Sequence, residues 1–162
     1  MPAQRDRIKL LLALIDEAYV RQSWHGPNLR GSLRGLSEAQ ARWRPRKRRH
    51  NIREIAVHAA YWKYAVRRRL LGGKRGSFPL KGSNWFVRPD IRTGRTWKDD
   101  LALLDGEHRA MRRAIARLSD EDLGTKAAGS KITTSRILRG IAAHDLYHAG
   151  QIQLLKKLRA HR

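Results

Sequence analysis

Ile137, Ile141, His144, His148, Gln151, Ile152 and Leu155 fall on one face of a single helical segment. A helix advances about 100° per residue, so His144 and His148 lie within roughly 40° of each other. Both imidazoles therefore share the arc that the isoleucines need to bury. A buried polar ring is costly without a partner, so whatever packs against this face must satisfy two histidines as well as cover an apolar stripe.

Three other segments repeat apolar residues at three- and four-residue steps, the period of an amphipathic helix. The first covers about Arg5 to Val20, with Ile8, Leu11, Leu12, Ile15 and Tyr19 on its stripe, and "WHGPNLRGS" then breaks it. "SEAQ" (Ser37 to Gln40) has the spacing of a capping box and can open a short helix. The second long helix opens at Asn51, with Glu54 as its capping acid, and ends near Leu71 before Gly72 and Gly73. The third starts at Thr96, with Asp99 in its first turn, and buries Leu101, Leu104, His108, Met111, Ile115 and Leu118. The last runs from near Thr134 to about Arg159. "NWFV" is the one short strand candidate. The expectation is an all-α four-helix bundle, one domain over residues 1–162. Its connections are long after the second and third helices. Lys74 to Arg95 carries Phe78, Trp85 and Phe86, and aromatics in a long connection imply that it packs over something.

Composition narrows the chemistry. The 162 residues contain no cysteine, which excludes disulfides, thiolate metal sites and a cysteine nucleophile. No apolar run reaches the roughly 18–20 residues of a membrane span. "LLLALI" near the start lacks a signal-peptide cleavage pattern. A cytoplasmic location is compatible with both. The formal charge of +22 attracts polyanions, acidic metabolites and anionic surfaces. The densest basic run, "RWRPRKRRH", contains Pro45 and a single aromatic, Trp43. It reads as a solvated loop more readily than as a nucleic-acid motif.

His58 lies mid-helix between Ile55 and Trp62. One histidine on an apolar face is commonly a satisfied core residue. Three on core faces of two helices match the way bundles build metal sites from facing helices. Three neutral imidazoles suit Zn²⁺, Ni²⁺, Fe²⁺ or Mn²⁺, with positions left for water or substrate.

The chain resembles the DinB-like (YfiT-type) superfamily of metalloproteins over nearly its whole length. The resemblance rests on "WHGPNL", "NIREIAVHAAYW", "TWKDDLALLDGEH" and "GIAAHDLYHAGQIQLLKK". It implies an antiparallel four-helix bundle with a long crossover. It also implies a metal site with one histidine from the second long helix and two from the fourth, matched here by His58, His144 and His148. Some members of that superfamily are S-transferases that use low-molecular-weight thiols; others are isomerases or hydrolases. The resemblance thus carries the site better than the reaction, and with it the expectation of a small-molecule substrate and of pairing as a homodimer.

The nearby residues offer several roles. Gln151 and Tyr147 are catalytic candidates, for orienting water or substrate and for donating a proton, with packing or capping as the alternative. Asp145 points away from the ligand arc, toward another helix. Glu54 could orient the His58 imidazole, although capping accounts for it. Trp24, His25 and Trp62 are candidates for substrate contact. His108 reads as structural, with a fourth-ligand role open, and His50 and His161 as exposed. Basic side chains near a pocket mouth could hold the carboxylates of a thiol cosubstrate or another acidic substrate. Two alternatives stay open: a basic nucleic-acid-binding module, or a protein-interaction adaptor, each with a structural metal.

Overall fold

The computed structural model describes residues 6–87 and 94–161. Four long helices make up most of it: α1 (Asp6–Tyr19), α4 (Ile52–Leu70), α5 (Trp97–Ile115) and α6 (Thr134–Ala160). Two single-turn helices, α2 (Leu29–Ser32) and α3 (Glu38–Arg42), lie between α1 and α4. The fold is all-α, as the periodicity predicts. "NWFV" forms no strand, and the described residues contain only an isolated bridge between Lys126 and Thr133.

The caps lie where the sequence puts them. Asn51 and Glu54 close a capping box at the start of α4, Thr96 and Asp99 do so at α5, and Ser37 and Gln40 at α3. Each box satisfies two backbone N–H groups that a helix start otherwise leaves free. The turn α2 interrupts a stretch expected to be loop; Asn28 caps it by accepting from the Gly31 N–H.

Polar pairs between the helices give their directions. Asp16 of α1 receives a two-pronged bond from Arg112 (2.8 and 2.9 Å), while Tyr19 donates to Asp105, so α1 and α5 run oppositely. Arg53 binds Asp100 at 2.5 Å and Arg67 binds Glu107 at 3.1 Å, so α4 and α5 run the same way. Ile52 and Ile55 share a core group with Ile152 and Leu155, Val66 shares the other with Ile137 and Ile141, and Lys63 binds Asp145 between them, so α4 and α6 run oppositely. Two successive helices that are parallel neighbours need a connection long enough to travel the length of the bundle. The segment after Leu70 does this, and its Phe78 and Phe86 are buried against Tyr61 and Tyr64 of α4, with ring centres 5.3–5.4 Å apart.

Most of the hydrophobic core falls into two groups. One gathers Leu29, Ile52, Ile55, Leu104, Trp97 and Ile152 with the crossover phenylalanines. The other holds Ile8, Ile15, Met111, Ile115, Leu138 and Ile141. Lys63 and Asp145 join α4 to α6 with almost no exposure. Removing one partner of such a pair strands a charge, whereas removing both does not. Lys63→Met alone should cost about 3–5 kcal/mol of unfolding free energy, and Lys63→Met with Asp145→Leu should recover most of it. Urea denaturation of the two variants checks this; equal losses would contradict it.

Candidate metal centre

His58 reaches the centre from α4, and His144 and His148 from α6. His144 Nε2 lies 3.1 Å from His58 Nε2 and 3.1 Å from His148 Nε2. The three potential ligand atoms all lie within 4.8 Å of one another, the single such group of three among the described residues. His58 and His148 are buried, and His144 is half-buried. Asp145, next in sequence to His144, turns away to Lys63 as helical phase predicts.

Hydrogen bonding fixes the protons on two of the rings. His58 Nδ1 is 2.7 Å from the Asn84 carbonyl oxygen, which can only accept, so Nδ1 carries the hydrogen. His148 Nδ1 is 2.7 Å from Gln151 Oε1, while Gln151 Nε2 donates to the Tyr147 hydroxyl at 2.9 Å. With Oε1 toward the ring and the amide N–H toward the Tyr147 hydroxyl, His148 Nδ1 is also the donor. Burial lowers the pKa of His58 from 6.5 to about 4 and that of His144 to about 3, and it lowers that of His148 too. Neutral rings with a hydrogen on Nδ1 leave Nε2 as a bare lone pair. His144 has one hydrogen at most to offer, and it can point at only one neighbour. At least one of the two 3.1 Å contacts therefore has no hydrogen within it, and a bare Nε2 there faces a nitrogen that offers it nothing. A cation among them gives the bare nitrogen a partner.

The distances also suit an ion. Two imidazole nitrogens each about 2.0–2.1 Å from one metal lie about 2.9 Å apart at a right angle and about 3.4 Å apart at the tetrahedral angle. The separation of 3.1 Å falls between these. Donation of the second ring N–H to an oxygen is the usual support for a metal-binding histidine. His58 and His148 have it; His144 Nδ1 is buried with no partner among the described residues.

Two further residues enter the site from the crossover. Asn84 has left-handed backbone, φ 62°, which asparagine tolerates better than most side chains. Its carbonyl holds His58 and its Oδ1 accepts from Trp62 Nε1 at 3.0 Å. Trp85 lies flat between His58 and His50, with ring centres 3.8 and 3.6 Å away and both interplanar angles 7°. The aromatics in this connection signal that it packs over something; their partners are not readable from sequence. His50 is exposed, as expected, and its ring also stacks on Trp85 and lies 3.2 Å from Glu54.

The other candidates have definite places. Gln151 supports His148, and Tyr147, largely exposed, receives the Gln151 amide. Trp62 is edge-on to His58 and His144. Glu54 closes the cap and binds Arg44, so the oxygen that orients His58 belongs to Asn84. His108 lies apart from the triad, stacked 3.8 Å from Tyr19 and near Asp16. Trp24 and His25 are exposed and neighbour each other, and neither lines the cavity walled by Trp85 and Gln151. His161 is exposed.

Keeping the triad neutral has a pH signature. The folded pKa values lie below 6.5, so the unfolded chain takes up protons first as pH falls. The associated stability is full above about pH 6.5 and is lost between there and about pH 4 to 3. In the presence of a chelator, unfolding free energy should fall over that window, and His144→Phe should make the fall shallower. Denaturation curves at stepped pH measure both, and an unchanged slope in the variant would refute a buried neutral His144.

A family model for the DinB superfamily matches residues 21–152, a span that includes all three histidines. No curated protein and no solved structure matches the chain. The family match extends over well more than half of the sequence, and the protein belongs to the DinB superfamily, whose members bind divalent metals.

Proposed function

We propose that His58, His144 and His148 bind one divalent ion (zinc, nickel, iron or manganese) and that the protein is a metal-dependent enzyme acting on a small electrophile. The observation that carries this reading is the convergence of three Nε2 atoms, two of them stripped of hydrogen by fixed Nδ1 bonds. A divalent ion bound there with an open position lowers the pKa of water or of a thiol. With no cysteine in the chain, a thiol nucleophile comes from a low-molecular-weight cosubstrate.

The chain's own residues have separable tasks. Asn84 and Gln151 hold two imidazoles with Nε2 inward. Trp85 covers the face of His58 and keeps bulk water from it. Tyr147, on the exposed side and tethered to Gln151, is positioned to exchange a proton at its hydroxyl with a group arriving from solvent. Transfer of a thiol to an electrophile and hydrolysis both fit this division of labour.

Calorimetric titration of the metal-free protein should give one equivalent of bound ion, and His58→Ala should abolish it. Gln151→Leu, which removes only the oxygen behind His148, should keep the stoichiometry and weaken affinity about 10–100-fold. The metal-loaded protein should then turn over when assayed with a panel of thiols and hydrolysable esters. Absence of turnover with every member would count against the enzymatic reading and favour a structural ion.

A further inference from the structure

A cavity of about 650 Å³ lies between the basic loop before α4 and the last turns of α6, within the size range of small-molecule sites. Trp85 and Gln151 are among the residues that line it. Each also touches the triad, through the stack on His58 and the bond to His148.

Its walls combine two kinds of surface. Leu154 and Leu158 follow each other one turn apart on α6 and are 58% and 45% exposed, with Trp43 also lining the cavity. Beside this apolar surface stand Arg46 and Arg49. The Arg49 N–H donates to the Arg46 carbonyl at 3.2 Å, closing a turn whose third residue, Arg48, has φ 67°. A β-turn brings the Cα atoms at its ends within about 7 Å, so the two guanidinium stems start close together. Neither side chain pairs with a carboxylate among the described residues, whereas neighbouring Arg44 grips Glu54 at 2.5 and 2.8 Å. Two unpaired guanidiniums beside exposed leucines and an indole are complementary to one class of molecule.

We infer that this cleft binds an amphipathic anion: a flat apolar body seated on Trp43, Leu154 and Leu158, with a carboxylate received by Arg46 and Arg49. The carboxylate gains paired charge-assisted bonds from the two guanidiniums. A second copy of the chain fits the leucines but not the charge, because a symmetric contact would set these arginines against their own counterparts. In the reaction proposed above, the cleft is where the electrophile docks, its reacting end toward the wall formed by Trp85 and Gln151, which touch the triad. That role rests on the metal-centre reading; the binding itself does not.

The test uses two probes with one apolar body, 2-naphthoate and neutral 2-naphthamide, titrated into the full chain with chelator present and again after zinc loading. Naphthoate should bind tighter than the amide by about tenfold or more at low salt. The double variant Arg46→Gln with Arg49→Gln should erase that difference while leaving the amide's affinity unchanged. Leu158→Asp should weaken both probes. Circular dichroism of each variant confirms that it is folded. Equal affinity for the two probes, or binding of neither, overturns the inference. So does a dimer in sedimentation that Leu158→Asp dissociates. Naphthoate binding in a protein that takes up no zinc would uphold the cleft and sink the metal centre instead.

Discussion

Imidazole nitrogens aimed at a common point repel one another unless a proton or a cation lies among them. In this protein the protons are committed elsewhere: the Asn84 carbonyl claims one and the Gln151 amide oxygen another. The constraint is therefore set by groups outside the triad, and those groups depend on the fold in different ways. Gln151 is one turn beyond His148 on the same helix and needs only helicity. Asn84 comes from the crossover and needs Phe78 and Phe86 buried on α4 to place it. The parallel run of α4 and α5 requires that crossover, so the tautomer of His58 follows from the topology of the bundle.

Electrostatics divides the molecule in a similar way. The chain has 14 acidic residues against 36 lysines and arginines. Several of the acids act as clamps between elements: Asp16 and Asp105 join α1 to α5, Asp100 and Glu107 join α4 to α5, and Asp145 joins α6 to α4. Arg53, fully buried, binds Asp100, Glu38 and the Arg95 carbonyl, tying α3, α4 and the start of α5 together. With carboxylates consumed in this way, much of the cationic surplus is left facing outward. The basic loop before α4 is where that surplus meets an apolar wall.

Much of this was legible in the sequence, for identifiable reasons. Apolar period and capping boxes are local, so the long helices and their starts could be read directly. Helical phase placed His144 and His148 on the core face and turned Asp145 away from them toward another helix, and the neighbours Ile55 and Trp62 marked His58 as facing the core. The direction of α4 relative to α5 was not legible, because periodicity carries no sign. Nor was the role of Asn84, which works through its main-chain carbonyl and so has no side-chain signature. Trp85 could be recognised as an aromatic needing a surface, but its stack on His50 and His58 joins residues whose proximity only the folded chain creates. Trp24 and His25 were singled out by resemblance, and the structure puts them elsewhere on the surface.

The spacing of the triad along the chain has a further consequence, for the order of assembly. His58 and Asn84 are 26 residues apart, whereas His58 and His144 are 86 apart. Closing the longer loop costs more chain entropy, and contacts of that span tend to form late. A partly folded chain can offer one imidazole on α4, or two on an undocked α6, but three only when α6 has seated. An ion that prefers three ligands to two therefore rewards the last long-range step, and the difference in its affinity adds to the free energy holding α6 in place.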